Sequence, residues 1–192
     1  AEHSGFDHNA HTLKIVTLIE RHYAAFDGLN LTWETLEGIV KHNGPLLMEV
    51  APYINDYDKL HKLNLCDHAS AEAQVAAISD DIAYNSHDLH DGLRAELFSI
   101  EELASLPLLS ECFQEVDRKY PQINQYRRQH EALRYFLGML VDDVLKEAQK
   151  TFVKLAPKSS DDLRKAGFKV IGFSDELDRN LDVVRSFLFE RM

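Results

Sequence analysis

Cysteine is almost missing from this chain. The two present, Cys66 and Cys112, fall in different segments and match neither a zinc-ligand spacing nor a disulfide framework. A disulfide-stapled secreted scaffold is therefore not expected, and a reducing cytosol is the expected compartment. Positive charge is scarce as well: 21 Lys and Arg stand against 32 Asp and Glu, a formal net charge of −11. That balance opposes non-specific binding to nucleic acid or to an anionic membrane, although Arg127-Arg128 forms one local basic cluster. No apolar run approaches the roughly 18 residues of a membrane helix and no signal peptide is visible, so no membrane role is expected. Also missing are a Gly-rich phosphate loop, a Gly-x-Ser-x-Gly elbow, internal repeats, low-complexity tracts and linkers.

What is present is the composition of a soluble globular protein, 45% hydrophobic and 28% charged over 192 residues. That length suits one good core or at most two small ones, and a single domain over 1–192 is expected. Both ends point to a fragment. The chain opens at Ala1 without an initiating Met, and it closes inside a helical pattern of Leu177, Leu181, Val184 and Leu188 with no cap after Met192.

Helical periodicity dominates between those ends. Residues 8–25 predict a helix with Ala10, Leu13, Val16 and Ile19 inward, broken by Phe26-Asp27-Gly28. Asn30 or Thr32 caps a second, running to His42 with Trp33, Leu36, Ile39 and Val40 inward, before Asn43-Gly44-Pro45. A short helix is expected over Pro52–Leu60. Ser99-x-x-Glu102 is a capping box, and Leu109, Cys112, Phe113 and Val116 mark a helix closed by Tyr120-Pro121. The longest periodic segment, Gln122–Ala156, places Leu133, Leu137, Leu140, Val144 and Ala148 at near-heptad steps until Pro157. Val170–Phe173 reads as a short extended piece, after which Ser174 caps the last helix. The fold class is all-α.

The organising stretch is Ser70–Gly92, a helix with Ser70 as N-cap and Gly92 as its stop. Val75, Ile78, Ile82 and Leu89 form one apolar stripe, and Asp80, Tyr84 and Asp88, spaced i, i+4, i+8, form a second on the other side. Ala73 and Ala77 flank the acids where Lys, Glu and Gln would be usual. Asp is a poor helix former in a helix interior, so the stripe reads as one wall of a polar cavity or, more plainly, as a solvated face. Ten histidines invite a metal reading, with His8 and His11, and His87 and His90, each at i, i+3. At helical geometry His87 and His90 turn away from Asp88, and such pairs are common on surfaces.

Four segments carry a family resemblance. Phe6-Asp7-His8-Asn9-Ala10-His11-Thr12-Leu13 resembles the Phe-Glu-His-Asn-Ala-Gln-x-Leu segment of the bacterial deoxyguanosine triphosphate triphosphohydrolases, members of the HD-domain phosphohydrolase superfamily. Gly28–Thr32 through Gly38–His42 resembles the next family segment, Glu72–Tyr84 its last metal-site helix, and Val141-Asp142-Asp143-Val144 also recurs there. The four are collinear and span nearly the whole chain.

The resemblance implies an HD-domain-like multi-helix bundle, truncated at both ends, and a set of roles. Asp80 matches a metal ligand, the final Asp of the family set, for a divalent cation such as Mg or Mn. Tyr84 and Asp88 match groups at the deoxyribose 3′-hydroxyl. Asn9, Lys41 and His42 match positions that contact the triphosphate. The implied reaction is water attacking the α-phosphorus of dGTP to release triphosphate and deoxyguanosine, with a deoxynucleoside triphosphate as partner and a homo-oligomer as assembly. Nucleic acid enters only as a regulator. The family's His-Asp pair and catalytic segment match nothing in this chain, so the chain alone is expected to leave the metal site unfilled and to be inactive, with no catalytic residue of its own. His87-Asp88 falls in the sugar-site segment and is a His-Asp pair by coincidence. The competing readings are a non-catalytic helical nucleotide-binding or oligomerisation module, and a His-rich metal buffer.

Overall fold

A computed structural model describes residues 6–192, and every regular element in it is helical. The Ala1 opening, on which the fragment expectation partly rests, lies outside those residues. The described residues hold nine α-helices, one π-helical turn and no strand; the one bridge pairs Tyr23 with Phe26. The all-α expectation is met. The described residues gather into two compact units, the first running up to Ala77 and including Phe152–Ile171, the second Ile78–Thr151 with Gly172–Met192.

In the first unit α1 spans His8–Lys14, and Asp7 caps it by accepting the Ala10 N–H at 2.6 Å. It continues only as a π-helical turn, Ile15–Ile19, so the helix foreseen to residue 25 ends early. The cause is a backbone return. Gly28 and Leu29 donate their N–H groups to the carbonyls of Glu20 and Val16, and a Cβ on Gly28 would stand 2.7 Å from the Thr17 backbone. The periodicity therefore runs past the core, and Ile19 is exposed. Helices α2, Trp33–Lys41, and α3, Pro52–Leu60, form where expected. Ala10, Leu13, Leu36, Val40, Ile54 and Leu63 make the core.

Helix α4, Ala71–Arg94, and the later α7, Gln125–Leu155, contribute residues to both units. Ser70 Oγ accepts the Ala73 N–H, as a cap should. Gly92 is not the stop. The helix continues to Arg94, and Gly92 is buried where a Cβ would meet the Phe98 ring at 2.2 Å, so it serves close approach instead. Val75, assigned to the apolar stripe, is 47% exposed. The buried face of α4 instead includes Gln74, Ile82, Asn85 and Leu89, and its polar members are partnered. Gln74 Oε1 accepts the Val170 and Ile171 N–H groups at 2.8 and 3.1 Å, leaving 170–173 irregular where an extended piece was expected.

The second unit adds α5, Ile100–Leu103, with its Ser99/Glu102 capping box intact, and α6, Leu109–Lys119. In α7 Leu133, Leu140 and Val144 are buried, but Leu137 is exposed and Phe136 takes the interior position. A short α8, Ser160–Arg164, belongs to the first unit and has a Ser159/Asp162 capping box that sequence reading passed over. Helix α9, Asp175–Arg191, buries Leu177, Leu181, Val184 and Leu188 as foreseen. Two acids pin it. Asp143 accepts both the N–H and the hydroxyl of its cap Ser174 at 2.8 Å, and Asp81 pairs with Arg185.

Candidate functional site

The Asp80-Asp81 doublet on α4 divides its labour. Asp81 points inward, pairs with Arg185, and accepts at 3.1 Å from Asn85 Nδ2, which also donates to the Asp81 carbonyl. Asp80 points outward and is exposed. One turn on, Tyr84 is 66% exposed, and one turn further Asp88 is half-buried. Among the described residues none of these three side chains has a hydrogen-bond or ion-pair partner. The helix thus brings the stripe together as one row of two carboxylates and a phenol, on a surface that this chain leaves open. The enclosed wall foreseen from the sequence is not formed by this chain's described residues.

The other expected contacts lie in the first unit. Asn9, half-buried, donates from Nδ2 to the Val40 carbonyl at 3.1 Å, which seats it beside the last turn of α2. His42 follows that turn, half-buried, with Nδ1 3.0 Å from the Ile39 carbonyl. Lys41 stands apart from both. Its side chain is 0% exposed, and Nζ meets Glu37 Oε1 at 2.9 Å, the Asn64 carbonyl at 3.0 Å and the His68 carbonyl at 3.3 Å. An ammonium has three N–H donors, so all are engaged and none is offered to a phosphate in this arrangement.

Glu37 and Arg164, which sequence reading did not single out, complete that buried cluster. Arg164 Nε donates to both Glu37 oxygens at 2.9 and 3.1 Å, and its guanidinium lies 5.1 Å from the centre of the Trp33 ring. The signal for Glu37 was available: Glu37 and Lys41 are i, i+4 on a helix. Arg164 lies 127 residues away and had no local signal.

A divalent cation takes several oxygen or nitrogen ligands. Among the described residues no group of three or more His, Cys, Asp or Glu converges, around Asp80 or elsewhere. The donors on this chain therefore fit a metal only as one side of a set. Of the two thiols, burial pushes Cys112 up to about 12, which keeps it protonated, and Cys66 is exposed in the first unit. Among the described residues no helix is long and apolar enough to cross a membrane.

Comparison with known proteins adds relatives. The chain is 60% identical over all 192 residues to a deoxyguanosinetriphosphate triphosphohydrolase-like protein of Roseobacter denitrificans, covering 50% of that protein. It is 58% identical to the protein of the same name in a Jannaschia species, covering 48%, and 45% identical to one in a Bradyrhizobium species, covering 50%. The chain thus spans about half the length of the curated relatives it matches. No family model matches it.

Proposed function

We propose, for a chain that along its whole length is a relative of the deoxyguanosinetriphosphate triphosphohydrolase-like proteins, that it is the substrate-side portion of a deoxynucleoside triphosphate triphosphohydrolase. The observation that carries the reading is the outward row of Asp80, Tyr84 and Asp88, unpartnered among the described residues on a helix whose other face is pinned. An acid held in a helix interior at the cost of helix propensity, and left without a protein partner, suits a ligand.

In this reading each side chain has one task. The Asp88 carboxylate accepts the 3′-hydroxyl of the sugar. The Tyr84 ring packs where a 2′-hydroxyl would project and so disfavours ribonucleotides. Asn9 and His42 offer donors to the triphosphate, while Lys41, engaged by Glu37, holds α2 and the 64–68 loop that flank them. Asp80 supplies one carboxylate to a divalent cation, such as Mg or Mn, whose other ligands come from outside this chain. That cation, when bound, offsets polyphosphate charge. The reaction is attack of water on the α-phosphorus, releasing triphosphate and a deoxynucleoside. A homo-oligomer, a cytoplasmic setting and inactivity of this chain by itself belong to the same reading.

The test is dGTP turnover by the full-length gene product with Mn²⁺, wild type against Asp80→Ala. A fall on the order of 100-fold is expected from loss of a metal ligand. Equal rates would remove Asp80 from the mechanism. The exposure of Tyr84 also suits the second reading, a non-catalytic nucleotide-binding or oligomerisation module. Absence of a His-Asp pair from the roughly hundred residues upstream, the span of one domain, would favour it.

A further inference from the structure

The local basic cluster Arg127-Arg128 has no place in that reading, and the structure separates its two members. Arg128 donates from Nε and Nη2 to both Asp117 oxygens at 2.6 and 2.7 Å, with its guanidinium 4.8 Å from the Phe113 ring centre. It is committed to holding α6 against α7. Arg127, one residue back and about 100° around the helix, is exposed and has no ion-pair partner among the described residues. It opens onto a groove of about 900 Å³ in the second unit, lined also by Tyr120, Ile123, Tyr126, His130 and Arg134.

The groove has two chemical halves. One is aromatic: Tyr126, 69% exposed, meets His130 edge-on at 4.5 Å, and His130 in turn lies 5.2 Å from His90. That chain of rings holds one wall in place while leaving the Tyr126 face open, and Tyr120 adds a second ring. The other half is cationic. Arg134 is paired with Glu131, so Arg127 leaves a net positive charge at the mouth of a groove in a chain of net charge −11. A flat ring would stack on the tyrosines, and an anionic group on that ring would meet the guanidinium. An aliphatic anion would forgo the rings and a neutral arene would forgo Arg127. The volume falls in the range of small-molecule sites.

We propose that this groove binds a small planar aromatic anion, at a site separate from the Asp80–Asp88 row. The test uses the full-length gene product and calorimetric titration with 2-naphthalenesulfonate, against 2-naphthalenemethanol and methanesulfonate. The sulfonated ring should bind with a submillimolar Kd, and the neutral ring and the ringless anion each about 10-fold more weakly. Arg127→Gln and Tyr126→Leu should each weaken the sulfonated ring about 10-fold at unchanged melting temperature, because both side chains are exposed. Asp80→Ala should leave that Kd alone. Equal affinity in wild type, Arg127→Gln and Tyr126→Leu overturns the proposal, as does loss of binding in Asp80→Ala or absence of binding up to several millimolar.

Discussion

Two polar sets on two helices of the chain have opposite fates. On α2, Glu37 and Lys41 are fully buried, and with Arg164 they form a cluster in which every ammonium N–H has an acceptor. On α4, Asp80 and Tyr84 are exposed and have no partner among the described residues. Burying a charge without partners costs several kcal/mol, so a buried set survives only when complete, and completeness leaves nothing for a ligand. An exposed row needs no partners and keeps its lone pairs. The difference separates polar residues that hold the fold from polar residues that can serve chemistry, and residue type alone does not reveal it.

The contrast breaks hardest at Glu37. Glu37→Gln keeps the shape and removes the carboxylate that bridges Lys41 and Arg164. Stability should fall by about 3–5 kcal/mol, as when one partner of a buried pair is lost. Urea unfolding of the full-length gene product reads it, and a wild-type midpoint would mean that the cluster contributes nothing to the fold. Gly92→Ala tests the close packing behind the α4 row. Phe98 is buried, so its ring cannot swing clear of a Cβ that would stand 2.2 Å away, and a cost of about 1–3 kcal/mol is expected. Thermal melting that is unmoved would show that the ring yields.

Asp80→Asn and Tyr84→Phe are the counterpart. Exposed and unpartnered, they should change stability by no more than about 0.5 kcal/mol, while turnover of dGTP falls in the first and discrimination against GTP falls in a companion Tyr84→Ala variant. A stability loss equal to that of Glu37→Gln would erase the distinction between the two sets.

Much of this was legible in the sequence because it is local. The α3 bounds, the Ser99/Glu102 box and the four buried apolar residues of α9 follow from spacing and capping within one helix. What stayed hidden depends on distant partners. Gln74 looks like a surface residue until Val170 and Ile171 donate to it, and Asp81 looks like one until Arg185 pairs with it, while Val75 of the expected stripe stays exposed. Gly92 looks like a helix stop because only Phe98, six residues on, reveals the close approach. Lys41 looks like a phosphate ligand by resemblance, and only Asn64, His68 and Glu37 show its donors engaged. The row at 80, 84 and 88 was readable as a row. Its exposure at Asp80 and Tyr84 was not, because spacing within one helix does not say which segments pack over it.

The smallest effect bears on the same buried cluster. His68, whose carbonyl accepts from Lys41, has its ring pKa held below the ordinary 6.5, chiefly by burial. The cations Lys169 and Lys41 push the same way, against the Gly167 backbone and Asp67. A lowered folded-state pKa means that below about pH 6.5 the unfolded chain binds more protons than the folded one. Stability from this group is thus complete above that pH and declines as pH falls toward the folded-state value. A proton on His68 therefore places a positive charge beside the cations Lys41 and Lys169. Melting temperature should therefore drop between pH 6.5 and 5 by more in wild type than in His68→Asn, which has nothing to titrate there. Parallel pH curves would assign the loss to other groups and leave the buried cluster indifferent to its histidine neighbour.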